Sequence, residues 1–549
     1  MRFIARSLPL LVFLSPTFTY AQTLPTFQHI IVLIQENRSP DNLFGSNTTF
    51  EPGVDLQQPS SGQWCLGACF DPDHRHIAWE TLYDNGKMDG ACNTQVSHGC
   101  GTPPGPTGIT YCNGEIVNSQ LDEPACPQKT YVSGTYDGGV VSPYFDIATK
   151  YGFANYFFQT NQGPSMPAHE FLFTGTSTPT GNPPPPPPNL SFFQAENPPG
   201  GVNNDDNNTG CTGPSNGTVQ LIDQNGDEKS GSQYNVFPCF THNSLPTLLD
   251  NASPQVTWKY YTNENQSSTN GIWNAPAAIY PICLPNGDSP VPRCLGSDYI
   301  NDVVVNNPAQ VLLDLGAISS QGCALRNVSW VIPNGDRSDH PGFEPGQNNS
   351  NQIEGGPAWV ADIINAVGTS PCTDEVNKQN VPYWQDTAIF VVWDDWGGFW
   401  DHVAPYEVLI NNAPTQNCDP TVTFGCGYVS GFRVPFLVVS AYTPAGYVSG
   451  DTRTQGEQPK YTHDFGSILA FIENNFKLGF INPSYQFADF NAPDRANSNT
   501  PLSDFFPISS NQPRQFQAIT LPAGSPSATD FINYNGPILD PDNDVIDND

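Results

Sequence analysis

Acidic and amide side chains directly follow two strongly apolar segments of the sequence. The first segment opens into Glu36 and Asn37, and the second, much later in the chain, opens into Asp394 and Asp395. Unbroken apolar runs of this kind predict strands buried on both faces of a parallel sheet, and ligands bind at the carboxyl ends of such strands. Adjacent carboxylates repel each other unless a cation lies between them, and a set of oxygen donors suits a hard divalent ion. The alternative is an ordinary turn after each strand, because Asn and Asp are common turn residues.

A serine at the predicted start of a helix is a candidate nucleophile. Ser165 is followed two residues later by Pro167, a pattern typical of a helix N-cap and first turn. The free backbone N–H groups and the dipole at that end of a helix bind anions, so a serine there is placed to attack a phosphate. The alternative is a purely structural cap, which is the commoner use of serine before a helix.

These side chains can form one site only if the strands before them are neighbours in one sheet. Short apolar runs rich in β-branched and aromatic residues predict strands at 29–34, 256–261, 328–332, 387–393 and 434–440, with an aromatic strand at 153–158. Helical patterns occur at 357–367, ended by Gly368 as a C-terminal cap, and at 467–476, where the apolar residues share one face. The alternation predicts an α/β fold with a largely parallel central sheet flanked by helices.

Two regions read as loop insertions on a single domain that spans residues 22–549. Residues 46–133 and 182–232 are rich in Pro, Gly, Asn and Cys, and the second contains a run of six prolines at 183–188. Such a run favours a stiff, extended conformation without packed secondary structure. We therefore expect insertions on one core rather than several independent domains.

The composition is that of a globular and strongly acidic protein. Hydrophobic residues make up 37% of the 549 residues and charged residues 13%, which excludes both a disordered chain and a protein that spans the membrane many times. The net charge of −34 repels a phosphate backbone over the whole surface. We expect no nucleic-acid partner and no integral membrane segment.

The amino terminus has the pattern of a secretory signal peptide. Residues 1–21 combine a basic start, a short apolar core and small residues before a cleavage point after Ala21. The apolar run is shorter than the roughly 20 residues that a spanning helix needs. A secreted or periplasmic location follows as the expectation.

The even number of cysteines, 14, agrees with an oxidising compartment and favours disulfides over metal sites. Sequence does not fix their connectivity. The simplest choice is local pairing that staples the loop insertions, and it gives Cys65 with Cys69, Cys92 with Cys100, Cys112 with Cys126, Cys211 with Cys239, Cys283 with Cys294, Cys418 with Cys426, and Cys323 with Cys372.

Together, the polar segments resemble the bacterial phosphoesterase family that contains acid phosphatases and phospholipases C, within the alkaline-phosphatase-like superfamily. The match is to several uncommon strings in the family's order, and they extend over nearly the whole chain after residue 21. The matching segments are His29 to Gly45, Asp73 and His74 with Gly86 to Gly90, Gly163 to Ser165, Ser338 to Pro341, Asp394 to Val403, and Thr462 and His463 with the helix that follows.

The resemblance implies an alkaline-phosphatase-like fold and one divalent metal ion. Its implied ligands are Glu36, Asn37, Asp394 and Asp395. It implies Ser165 as the nucleophile, where relatives have Ser or Thr, and three histidines that contact the phosphate or transfer protons: His74, His340 and His402. The implied substrate is a phosphate-ester small molecule or a phospholipid headgroup. Because protonated histidines and an acidic surface both favour low pH for a phosphate substrate, we expect an acid optimum.

The sequence departs from the family pattern after the serine. Relatives usually show Pro-Asn-Arg, whereas this chain has Pro167, Ala168 and His169, so a positive side chain is missing or replaced by a titratable one. The absent arginine also argues against a sulfatase-like esterase. A non-catalytic binding protein on the same scaffold is a third hypothesis, opposed by the four retained ligand positions.

The remaining histidines are not assigned to catalysis. We assign His29 to structure, because it precedes a buried strand. His463 matches a family position, but a core or helix-capping role is at least as expected there as catalysis. Four histidines in or beside loops carry no assignment: His76, His98, His169 and His242.

Overall fold

The computed structural model describes residues 24–534 with gaps. The longer gaps are 52–70, 98–108, 119–125, 130–140, 180–193, 198–209, 263–271, 287–292, 341–354, 415–428 and 451–458, and the others are of one to three residues. The predicted signal peptide, the proline run and parts of both predicted insertions therefore lie outside the described residues. No helix in the described ranges is both long and apolar enough to span a bilayer.

A mixed but mostly parallel sheet forms the centre of the fold. The described residues contribute eight strands to it: β1 (His29–Gln35), β2 (Gly152–Ala154), β3 (Trp258–Tyr261), β4 (Val303–Val304), β5 (Val328–Val331), β6 (Thr387–Trp393), β7 (Phe436–Ser440) and β8 (Tyr447–Ser449). Their spatial order is β4-β3-β5-β1-β6-β7-β2-β8. Only β7 runs antiparallel to its neighbours within this sheet. Every residue of β1, β6 and β7 is buried, as expected from their uninterrupted apolar sequences.

Helices flank the sheet. Their bounds are α1 (Pro40–Phe44), α2 (His76–Tyr83), α3 (Ser142–Lys150), α4 (Ser165–Thr174), α5 (Leu245–Asn251), α6 (Ala275–Ala278), α7 (Tyr280–Cys283), α8 (Ser297–Asp302), α9 (Gln310–Asp314), α10 (Gly355–Thr369), α11 (Tyr383–Asp386), α12 (Phe465–Phe476), α13 (Ala488–Asn491) and α14 (Ala528–Ile532). Helices α3 and α10 pack together against the sheet, and α4 packs against α12. The predicted α/β class with a largely parallel sheet and flanking helices is confirmed.

Some predicted element boundaries were wrong. Helix α10 continues through Gly368 to Thr369 instead of ending before the glycine. A Cβ at position 368 would lie 2.3 Å from the ring of Phe516. The glycine therefore makes room for Phe516 and does not cap the helix. The predicted aromatic strand is broken into β2 and a two-residue strand, Phe157–Phe158, which pairs with His463–Asp464 in a separate sheet. Helix α12 begins two residues earlier than predicted, at Phe465.

Four disulfides lie within the described residues. Three of them are the predicted pairs Cys211 with Cys239, Cys283 with Cys294 and Cys323 with Cys372. The fourth joins Cys92 to Cys126, so the predicted pairing of each with a nearer cysteine was wrong. Proximity in sequence misled here because the short helical turn Ala91–Asn93 and the turn Pro127–Lys129 pack against each other in space.

Candidate active site

The two polar segments meet because β1 and β6 are adjacent parallel strands in register. Gln35 pairs with Trp393 at the carboxyl ends of these strands, so the residues that follow leave the sheet side by side. The backbone N–H of Asp394 donates to the carbonyl of Gln35 at 2.9 Å. The backbone N–H of Asn37 donates to Oδ1 of Asp394 at 3.0 Å. This confirms the expectation that the two segments share one edge of the sheet.

The backbone after each strand turns sharply to hold the side chains in place. Asn37 has φ of 58°, a left-handed conformation that asparagine adopts more readily than most residues. Gly397 has φ of 59°, and a Cβ there would lie 2.3 Å from the carbonyl oxygen of Asn37. The two loops therefore approach each other more closely than any residue other than glycine would allow at position 397.

Three buried donors point at one another at this edge. Glu36, His169 and Asp394 each place one ligand atom within 4.8 Å of the other two. Nε2 of His169 lies 3.3 Å from Oε1 of Glu36 and 3.7 Å from Oδ2 of Asp394. One imidazole nitrogen with two carboxylates is a donor set that suits a divalent metal ion.

The orientation of His169 is set by a tyrosine behind it. Tyr260 donates its hydroxyl hydrogen to the carbonyl of Trp273 at 2.7 Å, and its oxygen lies 3.5 Å from Nδ1 of His169. Because the tyrosine hydrogen is already committed, Nδ1 is the donor, and the lone pair on Nε2 faces the two carboxylates. Burial lowers the pKa of His169 to about 4, although Asp394 partly offsets this, so the neutral, metal-binding form of the ring is favoured.

Asn37 completes the donor group, and the residues present fit a cation. Its Nδ2 lies 3.1 Å from Nε2 of His74, whose Nδ1 donates to the carbonyl of Pro72 at 2.9 Å. The Oδ1 of Asn37 and the Oδ2 of Asp394 are both buried and accept no hydrogen bond from the described residues. Buried oxygens of this kind are costly unless something compensates them, and a cation between them would do so.

Ser165 lies at the amino end of α4, but not at the predicted position. The N-cap is Pro164, and Ser165 is the first helical residue. Its hydroxyl does not cap the helix because it donates instead to Oδ2 of Asp395 at 3.1 Å. The other carboxylate oxygen of Asp395 accepts from the backbone N–H of Gly397 at 2.6 Å. Asp395 therefore contacts the serine, whereas the three-donor group contains Asp394.

Two of the predicted histidines lie beside this group. The rings of His74 and His340 are 6.0 Å apart, and Trp273 lies 6.1 Å from His340. Trp396 stands 6.3 Å from His74 on the other side. We call these four rings, those of His74, His340, Trp273 and Trp396, the aromatic and imidazole wall.

His402 belongs to a second cluster. Its Nδ1 lies 2.9 Å from Oδ1 of Asp41, and the cluster also contains Asp401 and the buried guanidinium of Arg433, which contacts both carboxylates. Although burial opposes it, the hydrogen bond to Asp41 raises the pKa of His402 above its usual value. The structure gives no contact between His402 and Ser165, so its role stays a prediction.

Sequence reasoning missed His169, Tyr260 and Trp273 as parts of this site. A signal for His169 was present: it stands four residues after Ser165, a spacing that puts both side chains on one face of a helix. Tyr260 and Trp273 carried no such signal, because β3 and the segment before α6 reach the site only through the tertiary fold.

Comparisons with protein-family models and with known proteins agree on one family. The model of the Phosphoesterase family matches residues 27–479, which include every residue of the candidate site. A non-hemolytic phospholipase C of Pseudomonas aeruginosa is 24% identical over 487 residues, covering 83% of this chain and 54% of that protein. Phospholipase C A of Mycobacterium tuberculosis is 25% identical over 233 residues, 40% of this chain and 38% of its own length. The chain thus spans about half the length of the Pseudomonas relative.

A solved structure shows a weaker likeness. A protein in the alkaline phosphatase superfamily from Vibrio parahaemolyticus matches with a TM-score of 0.30 and 10% identity, over 84% of this chain and 71% of that one. The family assignment rests on the sequence match, which extends over more than half of the chain. By that match, and in agreement with the motifs gathered at the edge of the sheet, the chain belongs to the Phosphoesterase family.

Proposed function

We propose that this protein is a secreted, metal-dependent phosphoesterase that hydrolyses phosphate esters with Ser165 as the nucleophile. The observation that carries the proposal is the hydroxyl of Ser165 at the first residue of α4, hydrogen-bonded to Asp395 beside the Glu36, His169 and Asp394 group. Family membership supports the reaction class, and relatives described as phospholipases C support a phospholipid-type ester as substrate.

A divalent ion would be held by Glu36, Asn37, His169 and Asp394. When bound, it supplies positive charge that polarises a phosphoryl oxygen and offsets the charge of the ester. Asp395 was predicted as a fourth oxygen ligand. Its hydrogen bond to Ser165 supports a role between the metal and the nucleophile.

Ser165 attacks the phosphorus in line with the leaving alcohol. The Oγ–P bond forms as the ester P–O bond breaks, and the serine proton passes to Asp395, which already accepts its hydrogen bond. Ser165 lies at the amino end of α4, where the helix dipole favours an anionic group. Water then hydrolyses the phosphoserine and returns the serine.

We assign the remaining roles to His74, His340 and His402. His74 has its Nδ1 hydrogen bonded to a carbonyl and its Nε2 bonded to Asn37, so we assign it to positioning that ligand. His340 lies within the aromatic and imidazole wall and is assigned to the phosphoryl oxygens. We assign proton donation to the leaving alcohol to His402, because its raised pKa keeps it protonated at acid pH.

Turnover of two chromogenic esters tests the proposal. We expect release of p-nitrophenol from p-nitrophenyl phosphate, p-nitrophenyl phosphorylcholine or both, loss of turnover with a chelator, and recovery on addition of a divalent metal. The ratio of the two rates distinguishes a phosphatase from a phospholipase C type of activity. If the metal-loaded protein turned over neither ester, a binding protein on this scaffold would be the better description.

Secretion is tested separately. The signal-peptide pattern of residues 1–21 and the four disulfides among the described residues support export. We expect the protein outside the cytoplasm to begin at Gln22, as read by mass spectrometry. A cytoplasmic protein that retained Met1 would contradict this.

A further inference from the structure

A second group of buried donors lies at the opposite ends of the two strands that build the active site. His29 is the first residue of β1, and Asp386 ends α11 immediately before β6. Asp374 reaches them from a hairpin strand, Thr373–Val376. One ligand atom from each of the three lies within 4.8 Å of the others.

The imidazole of His29 is oriented as metal-binding histidines are. Its Nδ1 lies 2.8 Å from the backbone carbonyl of Arg326, which can only accept, so Nδ1 carries the hydrogen. Its Nε2 lies 2.6 Å from Oδ2 of Asp374. This contact is a direct hydrogen bond, and a bound cation would take the place of its hydrogen. The ring would then be anchored through one nitrogen by a carbonyl and bind the cation through the other, which is the usual arrangement around a protein-bound transition metal.

The buried carboxylate of Asp386 is the evidence for a bound ligand. The residue is 4% exposed, and neither of its carboxylate oxygens accepts a hydrogen bond from the described residues. Buried carboxylates are normally hydrogen-bonded or neutralised, and here a second carboxylate, that of Asp374, stands beside it.

We propose that His29, Asp374 and Asp386 form a second divalent-cation site that stabilises the fold. One imidazole nitrogen and two carboxylates favour Zn²⁺ or Mn²⁺ over Ca²⁺, which prefers a larger set of oxygen donors. The side chain of Asp374 is 30% exposed and provides the route by which an ion and its remaining water ligands enter.

The site is separate from the active site. β6 has seven residues, and at about 3.3 Å per residue it holds Asp386 and Asp394 roughly 25 Å apart. An ion at this position joins the amino ends of β1 and β6 to the hairpin, which the disulfide between Cys323 and Cys372 already ties to the fold next to Asp374. Its role is therefore structural.

Zinc binding to the full-length, metal-stripped protein tests the site. The Asp394→Asn variant serves as background, so that the active site contributes equally to every protein compared. Into it we introduce Asp386→Asn, or, as a matched control, Asp362→Asn, which alters another buried carboxylate with an oxygen that accepts no hydrogen bond from the described residues. Equilibrium dialysis with ZnCl₂ alone gives the number of bound ions.

We expect the Asp386→Asn protein to bind one equivalent of zinc fewer than the Asp362→Asn control. Zinc should also raise the unfolding temperature of the control more than that of the Asp386→Asn protein. Equal stoichiometry and equal affinity in the two proteins would overturn the proposal. If Asp386→Asn does not fold, the half-buried Asp374→Asn decides the question by the same measurement, with the same two outcomes.

Discussion

His169 changes the set of donor atoms at the candidate site. It stands where the family pattern has an arginine, yet its ring faces Glu36 and Asp394 and not an open cleft. A neutral imidazole adds a nitrogen donor to a carboxylate and amide set, whereas arginine would have added a fixed positive charge. The positive charge that the resemblance implies at this position is therefore missing here, and we propose that a bound metal or a protonated histidine replaces it.

The hydrogen bond behind His169 can be tested without touching a ligand. Tyr260→Phe removes the oxygen that accepts from Nδ1 of His169, so the ring loses its orientation. We expect metal affinity to fall by about tenfold, with turnover restored at high metal concentration. Metal titration of activity measures this, and a chelator competition gives the affinity independently. An unchanged midpoint in both would show that the packing of Trp273 alone orients the ring.

Ser165 and Asp395 should give different defects when altered. Ser165→Ala should abolish turnover while metal binding and folding remain nearly intact, because only a hydroxyl is removed. Ser165→Thr should retain some activity, since relatives use either hydroxyl. Asp395→Asn should lower turnover by weakening activation of the serine and metal affinity, and part of its activity should return at high metal concentration.

The measurement is turnover of a phosphate ester across a metal titration for the three proteins. Circular dichroism confirms that each is folded. Near-wild-type activity of Ser165→Ala at any metal concentration would mean that water or another residue makes the attack, and the role proposed for the serine would be wrong.

At the scale of elements, the loop after β6 depends on a glycine. Gly397→Ala places a Cβ 2.3 Å from the carbonyl oxygen of Asn37, and backbone cannot yield as a flexible side chain can. Gly446→Ala is the matched control: it has a similar φ of 64°, but its Cβ would lie at an ordinary 3.6 Å from the carbonyl oxygen of Thr149. The control should cost about 1 kcal/mol of stability from the left-handed backbone alone.

We expect Gly397→Ala to destabilise the protein well beyond the control and to weaken metal binding, since Asn37 must move. Urea unfolding of both variants and a metal titration of each measure the two effects. Equal loss of stability in the two proteins would indicate that backbone conformation, and not the close approach, accounts for the glycine.

The elements also show which parts of the site a sequence can predict. Glu36 and Asp394 were predictable because each directly follows an uninterrupted apolar strand, and parallel neighbours bring such ends together. The partner of Cys92 and the contact of Tyr260 with His169 were not, because both depend on how distant segments pack. The start of a helix at Ser165 was predicted, but the serine is its first residue and not its N-cap, and its hydroxyl donates to Asp395 instead of to the helix. Only the tertiary structure reveals that contact.

Several buried groups favour the folded state at low pH, whereas His169 and His242, whose pKa burial lowers to about 4, oppose it below about pH 6.5. Burial raises the pKa of Asp362 to about 7 and that of Asp464 to about 7, and Asp504 and Asp494 raise the pKa of His463 to about 10 despite its burial. Each group binds its proton more tightly in the folded state than in the unfolded one. The two carboxyl groups therefore lose their contribution to stability as pH rises from about 4 to about 7, and His463 loses its own as pH rises from about 6.5 to about 10.

We expect the unfolding temperature to fall from about pH 6.5 to about pH 9, above the range in which His169 and His242 titrate, and repulsion within a chain of net charge −34 reinforces the trend. Calorimetry across this range measures it. Asp362→Asn should flatten the acid part of the curve and leave the alkaline part unchanged. A maximum of stability above pH 8 would contradict the prediction.

The central position of β1 also determines when the candidate site can assemble during synthesis. The hydrogen bond between Asn37 and Asp394 joins residues 357 positions apart, so a ribosome must synthesise most of the chain before either half of the site meets the other. Until β6 arrives, β1 lacks one of its two neighbours and leaves an apolar strand edge open to pairing with other chains. A nascent or truncated chain that ends before β6 consequently lacks half of the candidate site and is prone to pairing with other chains through the open edge of β1. The topology thus delays assembly of the candidate site until most of the chain has been synthesised.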